Sequence, residues 1–384
     1  MSRLLSSVRE GVQLFTMNSF KRNLKVAILT DHCFNFGGAI WTTKCMGELF
    51  DTVDYFFLMG KEKEAREYLN TDRVYFSRLN RFPFLKRYYK YTYPLWPTFV
   101  ETFDFSEYDL VLSSSFSVAH GCITSINTKH IAYIHTPMRY AWDLYKEYFG
   151  NSRFLKRAFV LFFTNHLRIW DTYASQRADL VIANSNFVKD RIKKYWRRDI
   201  ESVIYPPVQI SNLKPKKERD SYFVSGAPFE ENKGGEFLFE CAKELKFNIK
   251  VIGTSPRLKK FKRRYSKVHN IEFLGRVSEK EKKNILANAK GYIATGIEDF
   301  GIFPVEAMSF GTPVLAYYAG GYMESVIEGV SGVFFKEREI QSFKKALKSF
   351  NAKKWDYIKI QSTVSKFSKE SFKKELEKVI LKNI

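Results

Sequence analysis

The sequence is poor in cysteine, in acidic residues and in long apolar runs. Its four cysteines, Cys33, Cys45, Cys122 and Cys241, are scattered over 384 residues and never closely paired. That supplies neither a disulfide framework nor a zinc site, and it fits a reducing compartment. The longest wholly apolar run is about six residues, AFVLFF at 158–163, far short of the roughly 20 that a membrane-crossing helix needs. The first residues hold no long apolar core followed by a small-residue cleavage site, so no secretory signal is expected. Asp and Glu number 41 against 63 Lys and Arg, a formal net charge of +22. Apolar residues, by contrast, make up 45% and aromatics 17%, with 36 Phe. That content excludes a disordered chain, and the length suggests two domains of roughly 100–200 residues each.

A basic excess of this size suits nucleic acid, anionic membranes or phosphorylated small molecules. It equally suits a solvated face that only keeps the chain soluble, and composition does not choose among these.

Residues 1–24 are a basic, partly amphipathic lead, with Leu4, Leu5, Val8, Val12 and Phe15 near helical spacing and Gly11 weakening it. KVAILT (25–30) then reads as a buried strand running into a polar, glycine-bearing loop, DHCFNFGGA, with a helix from about Ile40. Similar strands stand at 108–115, 129–136 and 178–185, with helix-like stretches between them. The pattern restarts after a Pro-bearing, charged link. Strands at 222–227, 247–254, 270–276, 291–296 and 312–317 alternate with helices near 234–245, 278–289 and 304–310. Such alternation predicts an α/β chain of two doubly wound parallel sheets joined near residue 206. Residues 336–384 carry 14 Lys/Arg against 6 Asp/Glu. Their last helix, with Ser368 as N-cap and an apolar stripe at Phe372, Leu376, Val379 and Ile380, is read as a packing element.

The segment with most chemical content is 291–332. A strand ends near Gly296, a loop carries Glu298, and a helix begins near Pro304 with Glu306 in its first turn. Backbone N–H groups from Phe300 to Phe303 would point out of that helix start toward a phosphate. A carboxylate such as Glu306 suits a pair of vicinal hydroxyls, as on a ribose. Two glutamates at a helix start are also common for purely electrostatic reasons.

The same stretch resembles the Glu-x7-Glu signature of family 4 retaining glycosyltransferases of the GT-B fold. The matching positions are Glu298, Asp299, Phe300, Gly301, Val305, Glu306, Ala307, Met308, Gly311, Pro313, Val314, Gly320, Gly321, Glu324, Gly329 and Gly332. Residues 113–121, 135–149, 168–196 and 203–208 resemble a bacterial subgroup of mannosyltransferase-like enzymes of O-antigen, capsular and exopolysaccharide assembly, so the likeness runs from about residue 25 onward.

The resemblance implies two Rossmann-like domains facing a cleft: an acceptor-binding domain at 25–205 and a nucleotide-sugar-binding domain at 206–365. A C-terminal helix, 366–384, would return to the first domain. It implies that Glu306 binds the nucleotide ribose and that Glu298 lies beside the donor sugar, faced by Phe300, Gly301 and Ile302. His135, by itself an ordinary structural histidine, becomes a contact to the donor sugar. Lys233 matches the lysine that neutralises the leaving diphosphate, a role that developing charge requires. Gly37 and Gly38 match a loop whose backbone approaches the phosphates, and Asn184 joins the donor-binding set.

One position departs from the family pattern. Ala227 and Pro228 stand where an arginine is usual, and Arg276 or Arg139 is a candidate substitute. No Asp-x-Asp and no His/Cys ligand spacing occurs, so metal-independent transfer with no cofactor beyond the nucleotide-sugar donor is expected. The run 81–93 holds Arg81, Lys86, Arg87 and Lys90, no acid and six aromatics. It reads either as an interfacial surface or as an aromatic core helix with a basic outer face. The run 257–267 holds seven Lys/Arg and reads as an exposed helix face.

The expectation is therefore transfer of a hexose, mannose from GDP-mannose, to a lipid-linked glycan on the cytoplasmic face of the inner membrane. The protein would be peripheral, held on an anionic surface, and without a nucleic-acid partner. The alternatives are a dTDP- or UDP-sugar donor (rhamnose, N-acetylglucosamine), and a non-catalytic basic module binding membrane or nucleic acid.

Overall fold

The computed structural model describes residues 24–82, 84, 89, 92–143, 154–226 and 234–384, with backbone alone for 154–160 and 256. The described residues divide into two units. One runs to Asn184 and takes in 188–207 and 372–384; the other comprises 185–187 and 208–371.

The first unit is built on β1 (Val26–Cys33), β2 (Val53–Gly60), β3 (Val74–Phe76), β4 (Leu110–Ser115), β5 (Lys129–Ile134), β6 (Leu180–Ala183) and β7 (Ser202–Val203). These form a parallel sheet of order β3-β2-β1-β4-β5-β6-β7. Every residue of β2, VDYFFLMG, is buried, the pattern of a strand covered on both faces. Alternation along β1 splits its side chains between two apolar layers. Val26 and Ile28 join Ile131 and Tyr133, whereas Ala27 and Leu29 join Val111 and Met138.

The C-terminal helix Lys369–Asn383 completes this unit's core. Phe372, Leu376 and Ile380 are buried in the same layer as Val26 and Ile28, and Val379 packs against it. Lys373 and Lys382 pair with Glu48 and Glu201 at 3.5 and 2.9 Å. Ser368 accepts from the Ser371 N–H at 3.0 Å, the N-cap its sequence position predicts. The return of the last helix to the first unit is thus as the resemblance implies.

The second unit carries β8 (Phe223–Gly226), β9 (Ile249–Ile252), β10 (Ile271–Gly275), β11 (Gly291–Ala294), β12 (Val314–Tyr317) and β13 (Gly332–Phe335), in the order β10-β9-β8-β11-β12-β13, again parallel. The helices Gly235–Leu245 and Ile340–Ala352 bury Leu238, Phe239, Phe343 and Phe350 against it. A capping box closes the start of the Glu279–Asn288 helix: the Ser278 hydroxyl accepts from the Glu281 N–H, and the Glu281 carboxylate accepts from the Ser278 N–H. The basic run at 257–267 lies along the helix Pro256–Arg264, which buries Leu258 and leaves most of its Lys and Arg exposed.

Each sheet reverses its strand order once, between β1 and β4 in the first and between β8 and β11 in the second. In doubly wound sheets ligands bind at the carboxyl edge of that point.

Candidate functional site

In the second unit the reversal places the carboxyl end of β8 beside that of β11. Lys233, Ala227 and Pro228 fall in residues 227–233, outside the described residues. The flanking residue on the far side, Gly234, is tied to the β11 loop: its carbonyl accepts from the Thr295 hydroxyl at 2.9 Å. The β11 loop carries Glu298, half-buried, and Phe300, which is buried and meets the Phe367 ring edge-on at 5.2 Å.

Gly301 then adopts φ +88 as N-cap of the helix Ile302–Ser309. A Cβ there would be strained by conformation and would come within 2.5 Å of the Tyr322 ring. From the next loop Gly321 closes on the same turn. Its N–H donates to the Glu298 carbonyl at 2.9 Å, and a Cβ on it would stand 2.3 Å from Phe300 Cα. The glycines of the motif are thus what allows two loops to lie in contact, holding Glu298 and the helix start in register.

That helix begins at Ile302, two residues earlier than the sequence predicts, because Gly301 in the left-handed region starts it. Pro304 sits at the third position, where its missing N–H has no intrahelical acceptor to lose. Glu306 accordingly falls in the second turn instead of the first. Phe303 stacks on Tyr292 with centroids 5.5 Å apart. Burial pushes the Tyr292 hydroxyl up, and the Glu298 charge adds to that push.

Glu306 is 15% exposed and Lys282, from the Glu279–Asn288 helix, 18%. Lys282 Nζ lies 3.3 Å from one oxygen of the Glu306 carboxylate and 3.4 Å from the other, and 3.0 Å from Glu279. Burial pushes the Glu306 carboxyl up, opposed by the Lys282 ammonium. Burial also presses Lys282 down, but its two carboxylate partners outweigh it and hold the amine charged. A cavity of about 250 Å³ opens beside this pair, lined in part by Gln209, Ser211, Asn212 and Phe310. Arg276 is exposed after β10, at the edge of the sheet and separated from β11 by β9 and β8.

The first unit collects its candidates at its own carboxyl edge. Gly37 caps the helix Gly38–Gly47 after β1, with open space where a side chain would be. Half-buried His135 follows β5; its Nε2 is 2.9 Å from the Ser114 hydroxyl and its N–H donates to the Ser115 carbonyl. Asn184 follows β6, buried, and donates its N–H to the Ile134 carbonyl, which puts it on the strand next to His135. Arg139 is half-buried beyond His135. Arg81 ends a short 3-10 turn, while Lys86, Arg87 and Lys90 lie outside the described residues. Around them Phe82 and Phe84 are exposed, whereas Tyr93 is buried and Tyr89 packs on the core, so the run has both an outer and an inner face.

Three residues at these edges escape the sequence reading. Asp31, buried at the end of β1, accepts the backbone N–H groups of Phe116, Ser117, Val118 and Ala119. Arg191 is buried, pairs with Asp143 at 2.6 Å and donates to the hydroxyl of Thr136, the neighbour of His135. Lys282 sits in a lysine-rich helix whose sequence signals only solubility. Among the described residues no three His, Cys, Asp or Glu are grouped to hold a metal ion, and no helix is long and apolar enough to cross a membrane.

Residues 44–212 match the sequence family described as Glycosyltransferase Family 4, and residues 209–371 the one described as Glycosyl transferases group 1. An uncharacterized glycosyltransferase of Methanocaldococcus jannaschii is 28% identical over 183 residues, 47% of this chain and 52% of its own length. The alpha-1,3/1,6-mannosyltransferase ALG2 of Dictyostelium discoideum is 24% identical over 269 residues, 56% of this chain and 63% of its own. The matches thus span between half and two thirds of the length of these relatives. Among solved structures, Anabaena HepE in complex with UDP and glucose has a TM-score of 0.66 at 18% identity, over 94% of this chain and 100% of that one. That likeness establishes the GT-B fold.

Proposed function

The chain belongs to the family 4 glycosyltransferases, and from that premise we propose that it moves a hexose from a nucleotide sugar to a lipid-linked oligosaccharide or polysaccharide with retention of configuration. The observation that carries this reading is the carboxyl edge at the β8/β11 reversal. There Gly301 and Gly321 hold Glu298, the start of the Ile302–Ser309 helix and Glu306 on one short stretch of backbone.

The chemistry follows from charge. The bond between the anomeric carbon and the diphosphate oxygen breaks, and the acceptor oxygen bonds to the same face. The acceptor's proton passes to the departing phosphate oxygen, so no separate base is needed. The leaving diphosphate gains negative charge, which Lys233 and the N–H groups at the helix start offset. In the second unit Glu306 accepts the ribose hydroxyls and Glu298 lies beside the sugar; His135, Gly37 and Gly38 are the first unit's own candidates for contacting substrate. The second unit takes the donor and the first the acceptor, without a metal ion.

GDP-mannose is the leading donor, supported by the mannosyltransferase relatives. Ala227 and Pro228 in place of the family arginine favour a second reading, in which the donor is a UDP- or dTDP-sugar. The outward Phe82 and Phe84 beside the basic run at 81–93 support a peripheral site on an anionic membrane surface, facing the cytoplasm.

The test is a thermal-shift and slow-hydrolysis screen of GDP-, UDP- and dTDP-sugars, in which the true nucleotide stabilises most. The Glu306→Ala variant is expected to lose roughly 100-fold in donor affinity through its two charge-assisted hydrogen bonds. Wild-type affinity and turnover in that variant would sink the reading.

A further inference from the structure

We propose that Lys282 is the positioning residue of the nucleotide site: its ammonium bridges both oxygens of Glu306 and holds that carboxylate ionised and aimed for a nucleoside diol. This rests on the reading of Glu306 as the ribose acceptor.

The geometry is specific. Nζ stands 3.3 and 3.4 Å from the two carboxylate oxygens, so it pins the plane of the group and not one atom of it. The lysine is itself anchored by Glu279 at 3.0 Å and lies 5.8 Å from the centre of the Phe303 ring. A carboxylate has about four lone-pair sites, so a bridging ammonium leaves others for two hydroxyls.

The need for such a cation is physical. Glu306 is largely removed from water, which favours its neutral form. The other charges acting on it are Glu279, which also favours the neutral form, and Lys283, and both lie on the Glu279–Asn288 helix. Tyr292 faces it from β11 as a neutral phenol. The 209–213 segment across the cavity brings Gln209, Ser211 and Asn212 and no charge. Removing the Lys282 ammonium therefore leaves a buried carboxylate with weak compensation, and a protonated carboxyl is a poorer acceptor for hydroxyls.

The experiment is calorimetric binding of GDP and of UDP to the full chain from pH 6 to 8. Wild type, Lys282→Met, Lys282→Gln, Lys282→Arg and Glu306→Gln would be compared, each first checked by thermal melt. The terminal phosphate of the nucleotide itself titrates at about pH 6, so each variant is read against wild type at the same pH. Lys282→Met should bind roughly tenfold more weakly than wild type at pH 6 and recover toward it at pH 8. Lys282→Arg should restore the wild-type profile. If Lys282→Met does not fold, Lys282→Gln provides the same comparison. Unchanged affinity and profile in the neutral variants, with binding lost in Glu306→Gln, overturns the role of Lys282 alone. Wild-type binding in Glu306→Gln overturns the ribose reading beneath it. A uniform loss at every pH, not rescued by arginine, assigns Lys282 to packing and also overturns the proposal.

Discussion

The two carboxyl edges solve one problem by different means. In the second unit the loops are shaped by backbone: Gly301 turns through the left-handed region and Gly321 lies against Phe300 with no room for a methyl group. In the first unit the loops are held by side chains. Asp31 gathers four N–H groups of the 116–119 turn, Ser114 meets His135, and Arg191 ties Thr136 to Asp143. A backbone solution admits one residue type at each place. A side-chain solution is assembled from positions far apart in the chain, each of which accepts an ordinary polar residue.

The sharpest way to break this comparison is Gly321→Ala. Its Cβ would meet Phe300 Cα at 2.3 Å, so the 298–301 loop must move. The expected result is a loss of about 3 kcal/mol together with loss of donor binding, read by urea denaturation and calorimetry. Tolerance of alanine would show that the loop contact is not what shapes the site.

Asp31→Asn tests the other edge. A carboxamide offers one acceptor oxygen where the carboxylate offers two, so part of the Phe116–Ala119 turn loses its acceptor. A loss of about 2–3 kcal/mol is expected from buried unpaired N–H groups, with nucleotide affinity unchanged, and the same two measurements check it.

The smallest effect depends on pH. His130, buried in β5, has Nε2 2.8 Å from the Ser113 hydroxyl, and burial holds it down to about 3. An unfolded histidine takes a proton below about pH 6.5. Its stabilising contribution is therefore whole above 6.5 and falls as the pH drops toward 3, by about 2 kcal/mol at pH 5. His130→Gln should flatten that part of the pH dependence of the urea midpoint. An unchanged slope would show that other groups govern acid unfolding of the first unit.

The same contrast explains what the sequence could reveal. The alternation of β and α, the two sheets and the apolar stripe of the last helix were legible because burial imposes a period on residue type. β2 was missed because a continuous apolar run also suits a buried helix, and β3 and β7, of three and two residues, are too short to show a period. Glu298, Gly301 and Glu306 were legible as a compact motif, since one loop and one short helix hold them together, and Gly321 follows in the loop after β12. Asp31, Arg191 and Lys282 were not. Their meaning lies in partners 85, 55 and 24 residues away, and no local pattern distinguishes them from surface charge.

The position of the helix Lys369–Asn383 in the first unit also fixes an order of events during synthesis. Phe372, Leu376 and Ile380 fill the layer begun by Val26 and Ile28, yet they are translated only after residues 208–371. A nascent first unit must therefore wait, with an apolar strip uncovered, while the second is made and can fold. Any ribosome that stalls in between leaves that strip exposed to holdase chaperones and to aggregation. The last helix is the latch that ends this vulnerable interval.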